Sequence, residues 1–219
     1  MPALSADEIS SQLRRHRPPS TAAWRLLRRR WSAQLFDEAP ERVIGITAEL
    51  VSKGSWDRLT AYELVAAHPG GIQSLTPAAI GRLARGLNDW PSVDTFGCCV
   101  AGPAWREGRL GSCCIDKWAR SQDRWHRRLA LVCTVALNVP ARGGRGDARR
   151  TLQVCRQLVD DRDDMVIKAL SWALRVLVRW DRDAVQRFVD RHGARLASRV
   201  IREVSTKLRT GRKSGRVQR

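Results

Sequence analysis

The chain has 219 residues, room for one good-sized domain or two small ones, and its 43% hydrophobic and 28% charged content is the balance of a soluble globular protein. No apolar run approaches the roughly 18 residues of a membrane span, and the polar start MPALSADEISSQL lacks the apolar core of a signal peptide. The charge is lopsided: 40 Lys and Arg against 22 Asp and Glu give net +18 and a pI near 11.3.

Helical punctuation runs from end to end. Ser5-Ala-Asp-Glu8 reads as a capping box before a first amphipathic stretch. Pro18-Pro19 separates it from a second helix with Trp24, Leu27, Trp31 and Leu35 at helical spacing. Pro40 opens a third helix that ends near Gly54. A fourth runs from Trp56 to Ala67, stopped by His68-Pro69-Gly70-Gly71. Thr76-Pro77 is an N-cap followed by proline, with the helix carried to about Leu87. Trp90-Pro-Ser-Val-Asp94 starts the next, which runs to about Val100: Pro91 suits a first turn, where no N–H is needed, and Trp90 and Asp94 stand four apart, close to one face.

The second half repeats the style. Helices are expected over Ser112–Arg120 and Asp123–Leu137, then a flexible loop VPARGGRGD over Val139–Asp147. Further helices are expected near 148–159, 163–180, 183–191 and 194–208, before a basic, frayed tail from Arg209. No segment alternates with period two between turn signals, so no strand is expected. The expectation is one all-α domain over 1–208, a HEAT-like helical-repeat solenoid of about twelve short helices, with a flexible tail over 209–219.

A weak internal repeat fits that architecture. Asp89, Asp123 and Asp163 each begin a helix, 34 and 40 residues apart, close to helical-repeat periods. Five residues on stand Asp94, Arg128 and Lys168, equivalent positions that a solenoid sets along one surface.

Nearly all the cations are Arg, suited to bidentate phosphate contact, and a folded domain this basic points to nucleic acid. A membrane surface fits less well, because the Arg residues are spread along the chain and not segregated on one helix face. A purely structural basic protein is the bland alternative. Six cysteines (98, 99, 113, 114, 133 and 155) lack the C-x2-C spacing of a zinc site. They read as small helix-packing residues, with a zinc or Fe–S role as the alternative. No cofactor or metal is called for.

Three stretches carry a resemblance: Trp90-Pro-Ser-Val-Asp94, Trp125-His-Arg-Arg128-Leu-Ala, and Lys168-Ala-Leu-Ser-Trp172-Ala-Leu-Arg175. In this order and spacing the chain resembles the AlkD-like DNA alkylation repair glycosylases over roughly Asn88 to Leu208. That family is built of HEAT-like repeats and excises N3- and N7-alkylated purines. The resemblance implies that Asp94 is the catalytic aspartate, Trp90 and Trp172 the site tryptophans, and Arg128 the DNA-backbone arginine. It implies duplex DNA as partner, a monomer, a cytoplasmic, nucleoid-associated location, and a lesion that stays in the duplex. Two departures mark a compact branch. Tyr62, the sole Tyr, lacks the context of the family's early tyrosine, for which Trp24 and Trp31 are the alternatives. Pro91 replaces the acid often found after the first Trp.

The residue types suit that chemistry. An N3- or N7-alkylpurine is a cation and a good leaving group, and its departure puts positive charge on the sugar. A carboxylate such as Asp94 stabilises that charge and orients water. Trp faces attract cations, and Arg128 clamps phosphate. Each residue also has a plain structural role: Trp90 and Trp172 as packing, Asp94 as a helix-dipole acid, and Arg127 and Arg128 as a solvated face. The competing functional class is a non-catalytic DNA- or RNA-binding HEAT-repeat protein.

Overall fold

The computed structural model describes residues 4–15 and 20–212, so Pro18-Pro19 and most of the basic tail lie outside the described residues. The fold is all-helical, with no strand among the described residues, as expected of a helical-repeat solenoid. No described helix is long and apolar enough to cross a membrane. The chain divides into two compact units, Met1–Leu110 and Gly111–Arg219.

The first unit holds α1 (Ala6–Arg15), α2 (Thr21–Gln34), α3 (Pro40–Leu50), α4 (Ser55–Ala67), α5 (Pro77–Leu83), α6 (Trp90–Phe96) and α7 (Gly102–Arg106). Each start has its cause in the sequence. Ser5, Ser20 and Thr76 accept the N–H of Glu8, Ala23 and Ala79, while Pro40 and Pro77 occupy first turns, where a missing N–H costs nothing. α5 stops at Leu83, short of the expected Leu87. Helices pack in two alternating rows: α1 against α3 and α3 against α5; α2 against α4 and α4 against α6. Ile9, Leu13, Val43, Leu50, Leu64, Val65 and Leu83 fill the space between them. Trp31 is fully buried and donates its indole N–H to Gln12 Oε1 at 3.1 Å. Tyr62 is buried too, its ring 5.1 Å from Phe96 and its hydroxyl donating to the Leu83 carbonyl at 2.9 Å. Burial pushes the phenol pKa far up, so it serves as a neutral core donor.

The second unit holds α8 (Ser112–Ala119), α9 (Arg124–Asn138), α10 (Ala148–Gln157), α11 (Asp164–Leu177), α12 (Arg182–His192) and α13 (Ser198–Thr210). From Arg128 to Asn138 every residue of α9 is buried, the mark of a helix surrounded by others. α9, α11 and α13 form one row; α8 and α10 cover α9, and α12 packs on α11 and α13. α13 continues through Thr210, two residues past the expected 208, and closes on Gly211 in the left-handed region at φ 69°.

Two expectations are revised here. Cys98, Cys99, Cys133 and Cys155 are buried packing residues as expected, but Cys113 is exposed and Cys114 half-buried, in the first turn of the short α8. The segment VPARGGRGD is pinned where a flexible loop is expected. Buried Asn138 donates to the Thr134 carbonyl and to Thr151 Oγ1, both at 2.8 Å, and accepts from the Asp147 amide at 2.9 Å. Trp180 donates to the Asn138 carbonyl at 2.7 Å, and its side chain packs against Gly146. A Cβ at Gly146 would sit 2.9 Å from that ring, on a backbone at φ 88°. Gly146→Ala is therefore expected to destabilise the chain by about 1–3 kcal/mol, measured by urea unfolding. A neutral result would mean that the loop does not hold Trp180.

Candidate functional site

The site residues lie in both units. In the first, α6 is nucleated by Asp89. Its Oδ1 accepts the Ser92 amide at 2.8 Å and its Oδ2 accepts the Ser92 hydroxyl at 3.0 Å. Capping thus falls to Asp89, and the helix start does not depend on Asp94. Trp90, in the first turn, is 55% exposed, an unusual place for so large an apolar ring. Asp94 follows one turn later and is half-buried. The i, i+4 spacing brings ring and carboxylate close to one helix face.

Immediately beyond α6 the backbone widens into a π-helical turn, Gly97–Ala101, before α7. The amide of Gly102 reaches back five residues to the Gly97 carbonyl, just before Pro103, which has no amide to give. From Gly97 to Trp105 every residue is buried. The Trp90–Asp94 pair therefore sits at the accessible end of a helical rod whose other end is embedded in the core. A π turn beside a candidate carboxylate is a placement that recurs at functional sites.

The same row carries two further aromatics, 32 residues apart in the chain, that the fold pairs. Trp24 and Trp56 are half-buried, with centroids 5.9 Å apart, and Trp24 donates to Thr60 Oγ1 at 2.9 Å. With Tyr62 and Trp31 in the core, Trp24 is the partly accessible one of the residues weighed for the early aromatic position. The pair forms across α3, between alternate helices, so only the packing of α2 on α4 reveals it.

In the second unit, Arg128 and Arg127 do not form a solvated face. Arg128 is 6% exposed, and its Nη1 donates to the Met165 carbonyl at the start of α11, at 2.5 Å. Arg127 Nε is tied to Asp161 Oδ2 at 2.6 Å, and its Nη1 donates to the Ser121 and Gln122 carbonyls. Asp123 and Asp163 cap α9 and α11 through the amides of Trp125 and Met165, both at 2.8 Å. Arg128 and Lys168 thus hold the register position, five past a capping Asp, that Asp94 holds on α6. Lys168 Nζ is paired with Asp164 Oδ2 at 2.6 Å, which holds the Asp164 carboxyl below its usual range. The same capping occurs at Asp147 and Asp181, so the repeat is not confined to one row.

Trp172 is half-buried on α11 and lines a cleft of about 280 Å³ with Pro140, Arg175, Arg179 and Lys207. No acid lines it, although Glu203 Oε2 stands 3.5 Å from Arg175 Nε. The ring therefore faces a positive environment. No group of three or more His, Cys, Asp or Glu poised to hold a metal occurs among the described residues.

A family model described as "DNA alkylation repair enzyme" matches residues 20–208. The chain belongs to this family. Its role is accordingly DNA alkylation repair, with DNA as the substrate, and Trp90, Asp94, Arg128 and Trp172 all fall inside the matched span. No curated protein and no solved structure matches the chain. In this DNA alkylation repair enzyme the orientation of α6 hangs on one carboxylate. Asp89→Ala should lower stability by about 1 kcal/mol, while Asp89→Ser should recover most of it, read as midpoint shifts in thermal unfolding. Equal loss in both variants would argue against the cap.

Proposed function

We propose that this member of the family is a DNA glycosylase that excises cationic N3- or N7-alkylated purines from duplex DNA. The observation that carries the reading is Asp94. It is a carboxylate on a helix whose cap is supplied by another acid, one turn from an exposed Trp, in a chain of net +18. An acid facing phosphates weakens simple binding, so its use lies in chemistry: stabilising the positive charge that develops on the deoxyribose as the base leaves, and orienting the attacking water.

Trp90 offers its face to the cationic base, an attraction of about 0.5–2 kcal/mol depending on desolvation. Arg128, held by the Met165 carbonyl, supports the backbone side of the substrate, and Trp172 forms an aromatic wall on α11. In this reading residues 1–208 work as one HEAT-like domain, as a monomer in the cytoplasm, with the lesion left in the duplex.

The test is base release from N-methylated duplex DNA. Asp94→Asn is expected to lower single-turnover release by about 10²–10³-fold with folding intact, and Trp90→Ala by about 2- to 30-fold. Wild-type release that Asp94→Asn leaves unchanged would refute the assigned chemistry. If wild type binds damaged and undamaged duplex equally and releases nothing, the chain is a binder only, and Asp94→Asn should then tighten binding.

A further inference from the structure

α10 and α12 belong to the helices that flank the α9–α11–α13 row carrying Arg128 and Trp172. Between them lies a cleft of about 170 Å³ with Leu152 and Phe188 beside Arg156, Arg187, Arg191 and His192. Its size is well below the roughly 300 Å³ at which pockets for drug-sized ligands begin, so it suits one small group. The three guanidiniums are exposed, and no carboxylate lines the cleft. Neighbouring cations elsewhere in the unit are neutralised: Arg127 by Asp161, Arg150 by Asp147, Arg195 by Asp160. Among the described residues Arg156, Arg187 and Arg191 form no such ion pair.

Like charges lining one cleft repel, and folding tolerates them here because all three side chains are exposed to water. An anion entering the cleft relieves that repulsion and accepts the forked N–H donors that guanidinium presents. His192 stands at the inner end, largely buried, with its ring 4.7 Å from that of Phe188. The apolar side made by Leu152 and Phe188 suits a carbon-bearing ester better than a bare ion. We propose that this cleft is a second phosphate site of the chain, taking one phosphodiester of the DNA backbone away from the row that carries Arg128 and Trp172. The proposal rests on the family's DNA substrate and not on the glycosylase chemistry of Asp94.

His192 adds a reporter. Burial lowers its pKa, Arg156, Arg195 and Arg191 push the same way, and Asp160 opposes them; Arg187 adds positive charge on the rim. These causes favour a neutral imidazole near neutral pH. A bound phosphate favours the imidazolium, so binding is linked to proton uptake and tightens as pH falls.

The experiment measures affinity for an undamaged duplex against salt, for the full chain and for Arg187→Gln/Arg191→Gln, while the His192 ring signals are followed by NMR. Each lost phosphate contact lowers the slope of log K against log salt by about 0.9. The expected result is a slope shallower by about one unit, with duplex-induced shifts of the His192 signals in wild type and none in the variant. His192→Gln should keep the slope and lose the tightening at lower pH. An unchanged slope with silent His192 signals would overturn the proposal. So would signals that respond to inorganic phosphate but not to duplex, which would reassign the cleft to a small free phosphate. Base release by wild type and Asp94→Asn is a separate readout, so failure of the glycosylase reading leaves this test intact.

Discussion

The acceptance of a first-turn amide by an Asp side chain is the interaction on which the placement of everything else depends. It recurs at Asp89, Asp123, Asp147, Asp163 and Asp181, each at 2.8–2.9 Å. A capped start fixes which residue is first in the helix, and hence which side chains share a face. Asp94, Arg128 and Lys168 owe their common register to this anchoring. The device suits a chain so rich in Arg: each capping carboxylate satisfies a backbone donor and offsets a little of the positive charge around it.

That charge is handled in two ways. Some guanidiniums are engaged by the protein itself: Arg128 on a carbonyl, Arg127 on Asp161 and two carbonyls, and, at the surface, Arg42 on Glu38 and the Leu4 carbonyl. Others, on α10 and α12, face solvent. A strongly basic composition therefore does not translate residue by residue into a DNA-binding surface. The resemblance names Arg128 as the backbone arginine, yet that side chain is nearly as buried as the core around it. Any contact it makes with phosphate comes from a guanidinium already oriented by the protein, which limits the ordering cost of binding.

Much of the fold was legible because its signals are local. Pro40, Pro77, Ser5, Thr76 and the Asp caps act within four residues, and the helices begin where those residues place them. What escaped depends on distant partners. Asn138 organises the loop through Thr134, Thr151 and Asp147, and Trp180 completes it from 42 residues away. Nothing in VPARGGRGD itself announces that anchorage. The π turn was equally silent, since Gly-Cys-Cys-Val-Ala reads as ordinary small-residue packing. For the candidate site, the residues came from motif order, while their surroundings did not. The cations around Trp172 include Lys207, 35 residues downstream, and the Trp24–Trp56 pair appears only when α2 lies on α4.

The π turn has a consequence for how this helix tolerates change in length. An α-helix advances about 100° per residue, so one residue added within a straight helix swings everything beyond it by that angle. A widened turn absorbs the extra residue and leaves both flanks facing as before. Gly97–Ala101 has that form, with small side chains and a following proline that asks for no amide. The segment from Trp90 to Arg106 can thus be read as a helix that accommodated one residue more than its packing faces required. That turn lies between the Trp90–Asp94 pair and the buried Trp105, the place where added length leaves both flanks facing as before.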